Sequence, residues 1–242
     1  MNSEITSNRR TILFDLDGTL LPMDQDSFTK AYFDGLSKKL APYGYEPKRL
    51  VGGVWQGTKA MIKNNGTQTN EQVFWKEFAS LFGEKVYEDI DKFNHYYETD
   101  FDQLKSCCGY NVQANKTIQA LKDKGYTLVL ASNPVFPMTA QKKRMGWAGV
   151  NPDDFALITS YENSHYCKPN PLYFKEIADK LGVKPSDCLM VGNDTAEDAE
   201  ALLMGVNFFL LTDCLLNKES KDISKFTRGS FVQLLNYIEN LK

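Results

Sequence analysis

Short apolar runs at 11–14, 126–131, 156–158 and 188–191 each give way to polar residues suited to chemistry, and a fifth run, 206–211, ends at Thr212-Asp213. Runs this short and this uniformly apolar read as strands buried on both faces, the pattern of parallel sheets. Between the later runs lie amphipathic segments. One opens at Asn170-Pro171 and repeats Tyr173, Ile177 and Leu181 at helical spacing. Strand alternating with helix predicts an α/β chain whose central parallel sheet is flanked by helices, with right-handed crossovers.

One interval, 21–105, breaks the alternation, because it contains helix-like segments and no convincing strand. Residues 26–40 carry Phe28, Tyr32, Phe33, Leu36 and Leu40, and Thr69-Asn70-Glu71-Gln72 fits a capping box ahead of Val73, Phe74, Trp75 and Phe78. Asn64-Asn65-Gly66 between them is a turn. The segment reads as an inserted all-helical domain, 21–105, within a core made of 1–20 and 106–242. Most of its aromatic residues would hold the insert together. Trp55, with Gln56 and Lys59 on a loop after Gly52-Gly53, is a candidate to face a substrate. The tail, 228–242, with Phe231, Leu234, Leu235 and Ile238, predicts a last helix packed on the sheet.

The charge balance, 28 basic against 31 acidic residues, leaves no electrostatic footprint for nucleic acid as a main partner or for an anionic membrane. No apolar stretch approaches the roughly 20 residues needed to cross a bilayer, and the polar start, 1–10, shows no leader or anchor. Cys107, Cys108, Cys167, Cys188 and Cys214 show neither C-x-x-C spacing nor histidine partners, so each reads as a small buried hydrophobe in a reducing cytoplasm. His95 and His165 are too far apart in sequence to suggest a metal site.

Chemistry concentrates first in Phe14-Asp15-Leu16-Asp17-Gly18-Thr19-Leu20, where two carboxylates stand two apart at a strand end. Like charges so close resist joint ionisation, so the pair calls for a cation or for one protonated carboxyl. The D-x-D-G pattern alone also matches part of a calcium loop, but the Leu20-Leu21-Pro22 that follows lacks the further oxygen ligands.

This stretch resembles the first motif, D-x-D-G-T, of the haloacid dehalogenase-like superfamily. Ser132 in Leu130-Ala131-Ser132-Asn133 is similar to that family's second motif, and Lys168 in Cys167-Lys168-Pro169 to its third. Val191-Gly192-Asn193-Asp194-Thr195-Ala196-Glu197-Asp198 is similar to its fourth. The ordered set implies a Rossmann-like core with a helical cap inserted after the first motif. It also implies a magnesium-dependent phosphatase acting on a small phosphorylated metabolite through an aspartyl-phosphate.

In that resemblance Asp15 is the nucleophile and Asp17 the acid, then the base. Ser132, the Asn133 amide and Lys168 hold the phosphoryl oxygens, and Thr19 braces the Asp17 loop beside them. Mg2+ would be held by Asp15, the Asp17 main-chain carbonyl and Asp194, with Asp198 orienting Lys168. The fourth motif departs from the commonest form, since Asn193 stands where an acid usually follows the glycine. Asn193 or Glu197 facing Asp15 would shift the assignment. A dehalogenase would lack Asp17. A phosphosugar mutase keeps the same set, whereas a phosphoacceptor signalling domain, the reading from another class, orders its acids differently and has no such insert.

Overall fold

The computed structural model describes residues 11–240; the polar start at 1–10 and the last two residues of the expected tail helix lie outside the described residues. Among the described residues six strands form one sheet: β1 (Thr11–Phe14), β2 (Thr127–Leu130), β3 (Leu157–Ile158), β4 (Cys188–Gly192), β5 (Asn207–Leu211) and β6 (Thr227–Gly229). They run in the order β3-β2-β1-β4-β5-β6, all parallel. The α/β architecture expected from the apolar runs is therefore present.

Register positions the site. Phe14 pairs with Leu130 on one side and with Val191 on the other, so β1, β2 and β4 end level and Asp15, Ser132 and Asn193 emerge along one edge. Helices cover both faces: α5 (Val112–Asp123), α6 (Met138–Trp147) and α8 (Phe231–Glu239) bury apolar side chains with Ile12 and Phe14, and α7 (Leu172–Leu181) does so with Leu13. The split follows strand geometry, because successive side chains point to opposite faces.

Between β1 and β2 lie four helices, α1 (Gln25–Leu40), α2 (Pro47–Ile62), α3 (Asn70–Phe82) and α4 (Val86–Thr99), and a 3-10 segment, Phe101–Cys107. Thr69 and Gln72 make the reciprocal capping box that starts α3. The chain leaves and re-enters the core through adjacent strands of backbone: Met23 bridges Cys108, and Gly109 N–H donates to the Pro22 carbonyl at 2.7 Å. The hydrophobic core is continuous from the sheet into this insert, running from Phe14 through Phe28 to Phe78. Among the described residues no helix is long and apolar enough to cross a membrane, and all five cysteines are free.

Two local expectations are corrected. Gly52-Gly53 does not open a loop. Both lie inside α2, which starts at Glu46-Pro47, where the Glu46 carboxylate accepts from the Lys48 and Arg49 amides. Glycines in the helix allow close approach of α3: a Cβ on Gly57 would lie 2.5 Å from the Phe74 ring. The tail helix begins at Phe231 rather than at Arg228, because Thr227–Gly229 forms the edge strand β6. Its three residues, two of them exposed, carry no apolar run; hydrogen bonding to β5 alone defines it.

Candidate active site

Asp15 continues β1 by one more ladder bond, its N–H donating to the Val191 carbonyl at 2.9 Å, and the chain then reverses within Leu16–Leu21. Leu21 and Thr19 amides return to the Leu16 carbonyl at 2.8 and 3.1 Å, and Gly18 sits at φ +83°. A Cβ at Gly18 would collide with the Asn193 amide, so glycine is required by both conformation and space. This turn leaves Asp15 over the sheet edge and sends Asp17 toward the helical insert.

Lys168, which the resemblance puts at the phosphoryl oxygens, is wholly buried. Its Nζ donates to Asp15 Oδ1 at 2.9 Å and to Asp198 Oδ1 at 2.6 Å. Burial by itself would drive the ammonium toward neutrality; the Asp15 and Asp198 carboxylates outweigh it and push the pKa well up, which keeps the charge. Asp198 in turn accepts the Asp194 N–H on Oδ2 at 3.0 Å, tying the acidic loop to the lysine.

Ser132, at the end of β2, has its carbonyl held by the Thr159 and Tyr173 hydroxyls, both at 2.8 Å. Its own hydroxyl and the Asn133 main-chain N–H donate to nothing among the described residues. The Asn133 side chain donates to the Lys168 carbonyl at 3.3 Å and to Glu197 Oε2 at 3.2 Å. Thr19 gives its hydroxyl to Asn193 Oδ1 at 3.0 Å, and the Asn193 amide donates to the Cys214 carbonyl at 2.7 Å. Asn193 is therefore engaged in joining the two loops. Asp194 accepts the Ala196 and Glu197 amides on a single oxygen, at 2.7 and 3.2 Å.

Two residues reach the site that the motifs alone did not assign to it. Arg144 on α6 is completely buried, and its Nη1 donates to Asp17 Oδ2 at 2.5 Å across 127 residues of sequence. Its other terminal nitrogen meets Gln141, and its guanidinium lies 4.5 Å from the Phe136 ring centroid. Asp17 has its pKa raised, chiefly by burial and against the opposing charge of Arg144. Glu197, weighed from sequence only as an alternative, is drawn in by Asn133. Its pKa is also raised, by burial above all, with Lys168 opposing and Asp194 and Asp15 adding to it.

Trp55 lies at the rim of a cavity that reaches Asp17, whereas Gln56 bonds Glu77 at 2.9 Å and neither Gln56 nor Lys59 lines that cavity. His165 pairs with Glu176, and His95 lies beside Glu98.

Several oxygens at this edge have no hydrogen-bond partner among the described residues: the second Asp15 carboxylate oxygen, the Asp17 main-chain carbonyl and the second Asp194 oxygen. Asp17 Oδ1 and Asn133 Oδ1 are buried and likewise unpartnered. No three His, Cys, Asp or Glu side chains of the described residues gather into a metal cage. Such a donor set suits magnesium, which takes few carboxylates and keeps waters and substrate phosphate in its shell.

A family model described as a haloacid dehalogenase-like hydrolase matches residues 9–204. A phosphoglycolate phosphatase of Aquifex aeolicus is 27% identical over 192 residues, 79% of each chain. A bifunctional riboflavin kinase/FMN phosphatase of Arabidopsis thaliana is 28% identical over 193 residues, which span 79% of this chain and 45% of that protein. Among solved structures, one described as a predicted phosphoglycolate phosphatase from Haemophilus somnus superposes with a TM-score of 0.55 at 19% identity, covering 96% of this chain and 99% of the other.

Proposed function

The chain belongs to the haloacid dehalogenase-like hydrolases, and on that premise we propose that it is a phosphatase acting on a small phosphorylated metabolite by way of an aspartyl-phosphate. The observation that carries the reading is Lys168. An ammonium buried without exposure, held by Asp198 and bonded to one oxygen of Asp15, leaves the other oxygen free to attack. Phosphoryl transfer asks mainly for positioning and charge neutralisation, and this edge supplies both.

In the first step an Asp15 oxygen bonds to phosphorus as the ester P–O bond breaks, and Asp17 gives its proton to the departing oxygen. In the second step the Asp17 carboxylate takes a proton from water. That water's oxygen bonds to phosphorus, and the bond to Asp15 breaks to release inorganic phosphate. The raised pKa of Asp17 fits the first role, and the Arg144 charge fits the second by stabilising the carboxylate. The Ser132 hydroxyl and the Asn133 amide would donate to the phosphoryl oxygens. Asp15, the Asp17 carbonyl and Asp194 would hold Mg2+, which when bound offsets the repulsion between the carboxylates and the phosphate. The helical insert would act as a cap that excludes water and chooses the leaving group.

Several relatives are named for phosphoglycolate, which makes it one candidate substrate to test. The test is Asp15→Asn. Phosphate release from a panel of phosphorylated metabolites with magnesium should disappear, while circular dichroism and thermal unfolding stay close to wild type. Release at the wild-type rate from the folded variant would refute the assignment.

A further inference from the structure

Between the insert and the sheet edge lies a cavity of about 230 Å³ with Asp17 at one end and Trp55 at the rim. Its wall is built from rings of all four insert helices and of the loops after β2 and β3, among them Phe28, Tyr32, Phe74, Phe93 and Phe136. Among the described residues that line it, Asp17 alone is charged, and no lysine, arginine or histidine contributes. Arg144 touches both Asp17 and Phe136, but it is fully buried with its terminal nitrogens engaged by Asp17 and Gln141.

We propose, resting on the phosphatase reading above, that this cavity receives the leaving group and that the leaving group is an uncharged alcohol with an aromatic or comparably apolar body. Protein interiors leave few voids larger than a water molecule, so a space of this size opening on the reacting acid is a receiving site rather than loose packing. A cavity of about 150 Å³ already admits benzene, and this one has room for a ring with a short linker to the phosphate. A carboxylate placed here would lose its water, meet no cation and face Asp17, whereas a ring would replace water against other rings. Uncharged polar groups are also on offer in the wall, among them Gln25, Thr29 and the Tyr161 hydroxyl. The buried Trp75 indole N–H lies in the same wall beside the Tyr161 hydroxyl.

The test compares kcat/KM of the full chain with magnesium for 2-phenylethyl phosphate and for phosphoglycolate, both alkyl esters whose leaving oxygen needs a proton, with acetyl phosphate reporting on the phosphoryl machinery. The expected result is a preference for 2-phenylethyl phosphate of at least about 10-fold. Trp55→Lys, which brings a cation to an exposed rim position, should shift that ratio toward phosphoglycolate. Equal or better use of phosphoglycolate, or use of neither ester, overturns the inference if acetyl phosphate is turned over by wild type and not by Asp15→Asn. Failure of Asp15-dependent acetyl phosphate turnover overturns the phosphatase reading itself.

Discussion

Asp15, Lys168 and Asp198 form a buried chain of charge in which each member answers for the next. The neighbouring acids raise a sharper question, since Asp194 and Glu197 both stand within electrostatic reach of one another and Asn193 is engaged elsewhere. Asp194→Asn should raise the magnesium concentration for half-maximal activity by at least about 10-fold, the scale seen even for outer partners of a metal site. Glu197→Gln and Asn193→Ala should move it little. A shift confined to Glu197→Gln would transfer the metal role to that residue. Arg144 allows a second test. Asp17 must carry a proton to act as acid, so kcat/KM for an ester with a poor leaving group falls as pH rises through its pKa. The Arg144 charge lowers that pKa; removing it in Arg144→Met should move the alkaline fall to higher pH, while Arg144→Lys should leave it near wild type. An unmoved limb in the methionine variant would show that Arg144 does not act through Asp17.

At the scale of elements, α2 and α3 show how propensity yields to packing. Glycine inside a helix costs about 1 kcal/mol relative to alanine, and α2 carries Gly52, Gly53 and Gly57. Gly52 is exposed, with nothing near its missing Cβ, so Gly52→Ala should stabilise the chain by about 0.5–1 kcal/mol in urea unfolding. Gly57→Ala must displace the buried Phe74 ring and should destabilise by about 1–3 kcal/mol. Opposite signs from two identical substitutions in one helix would be hard to obtain from a loop. Glycine also explains why sequence alone points to a loop here: a Gly-Gly pair signals a turn locally, while the reason for Gly53 is the Phe78 and Phe82 rings packed against it. The strand β6 was illegible for a related cause, because an exposed edge strand of three residues is defined by its partner and not by its own pattern.

Across the whole molecule, hydrogen bonds join the insert to the core at several places, among them the Pro22/Gly109 crossing, the Lys143 contacts with Glu98 and Asp102, and the start of α3. There the Asn70 and Glu71 amides donate to the Ser164 and Tyr161 carbonyls, both at 2.8 Å, and the buried Asn70 side chain reaches the Pro134 carbonyl at 3.3 Å. Asn70→Ala strips partners from buried groups and should cost about 1–3 kcal/mol by urea unfolding, with faster amide exchange at residues 70 and 71. A neutral result would mean that the Asn70 side chain does not help to hold the insert in place. The sequence by itself determined the parallel sheet and the placing of Asp15, Ser132 and Asn193 along its edge. Buried strands are continuous apolar runs, and each of these residues lies within two residues of the end of one. It also marked the helical insert, since no apolar run of strand type interrupts 21–105. Only the tertiary structure decided that Arg144 answers Asp17, that Glu197 turns inward to Asn133, and that rings from four helices leave a cavity without a cation. Those features depend on which helix faces meet across long stretches of chain, and a buried guanidinium or an empty space has no local periodicity by which a sequence could announce it.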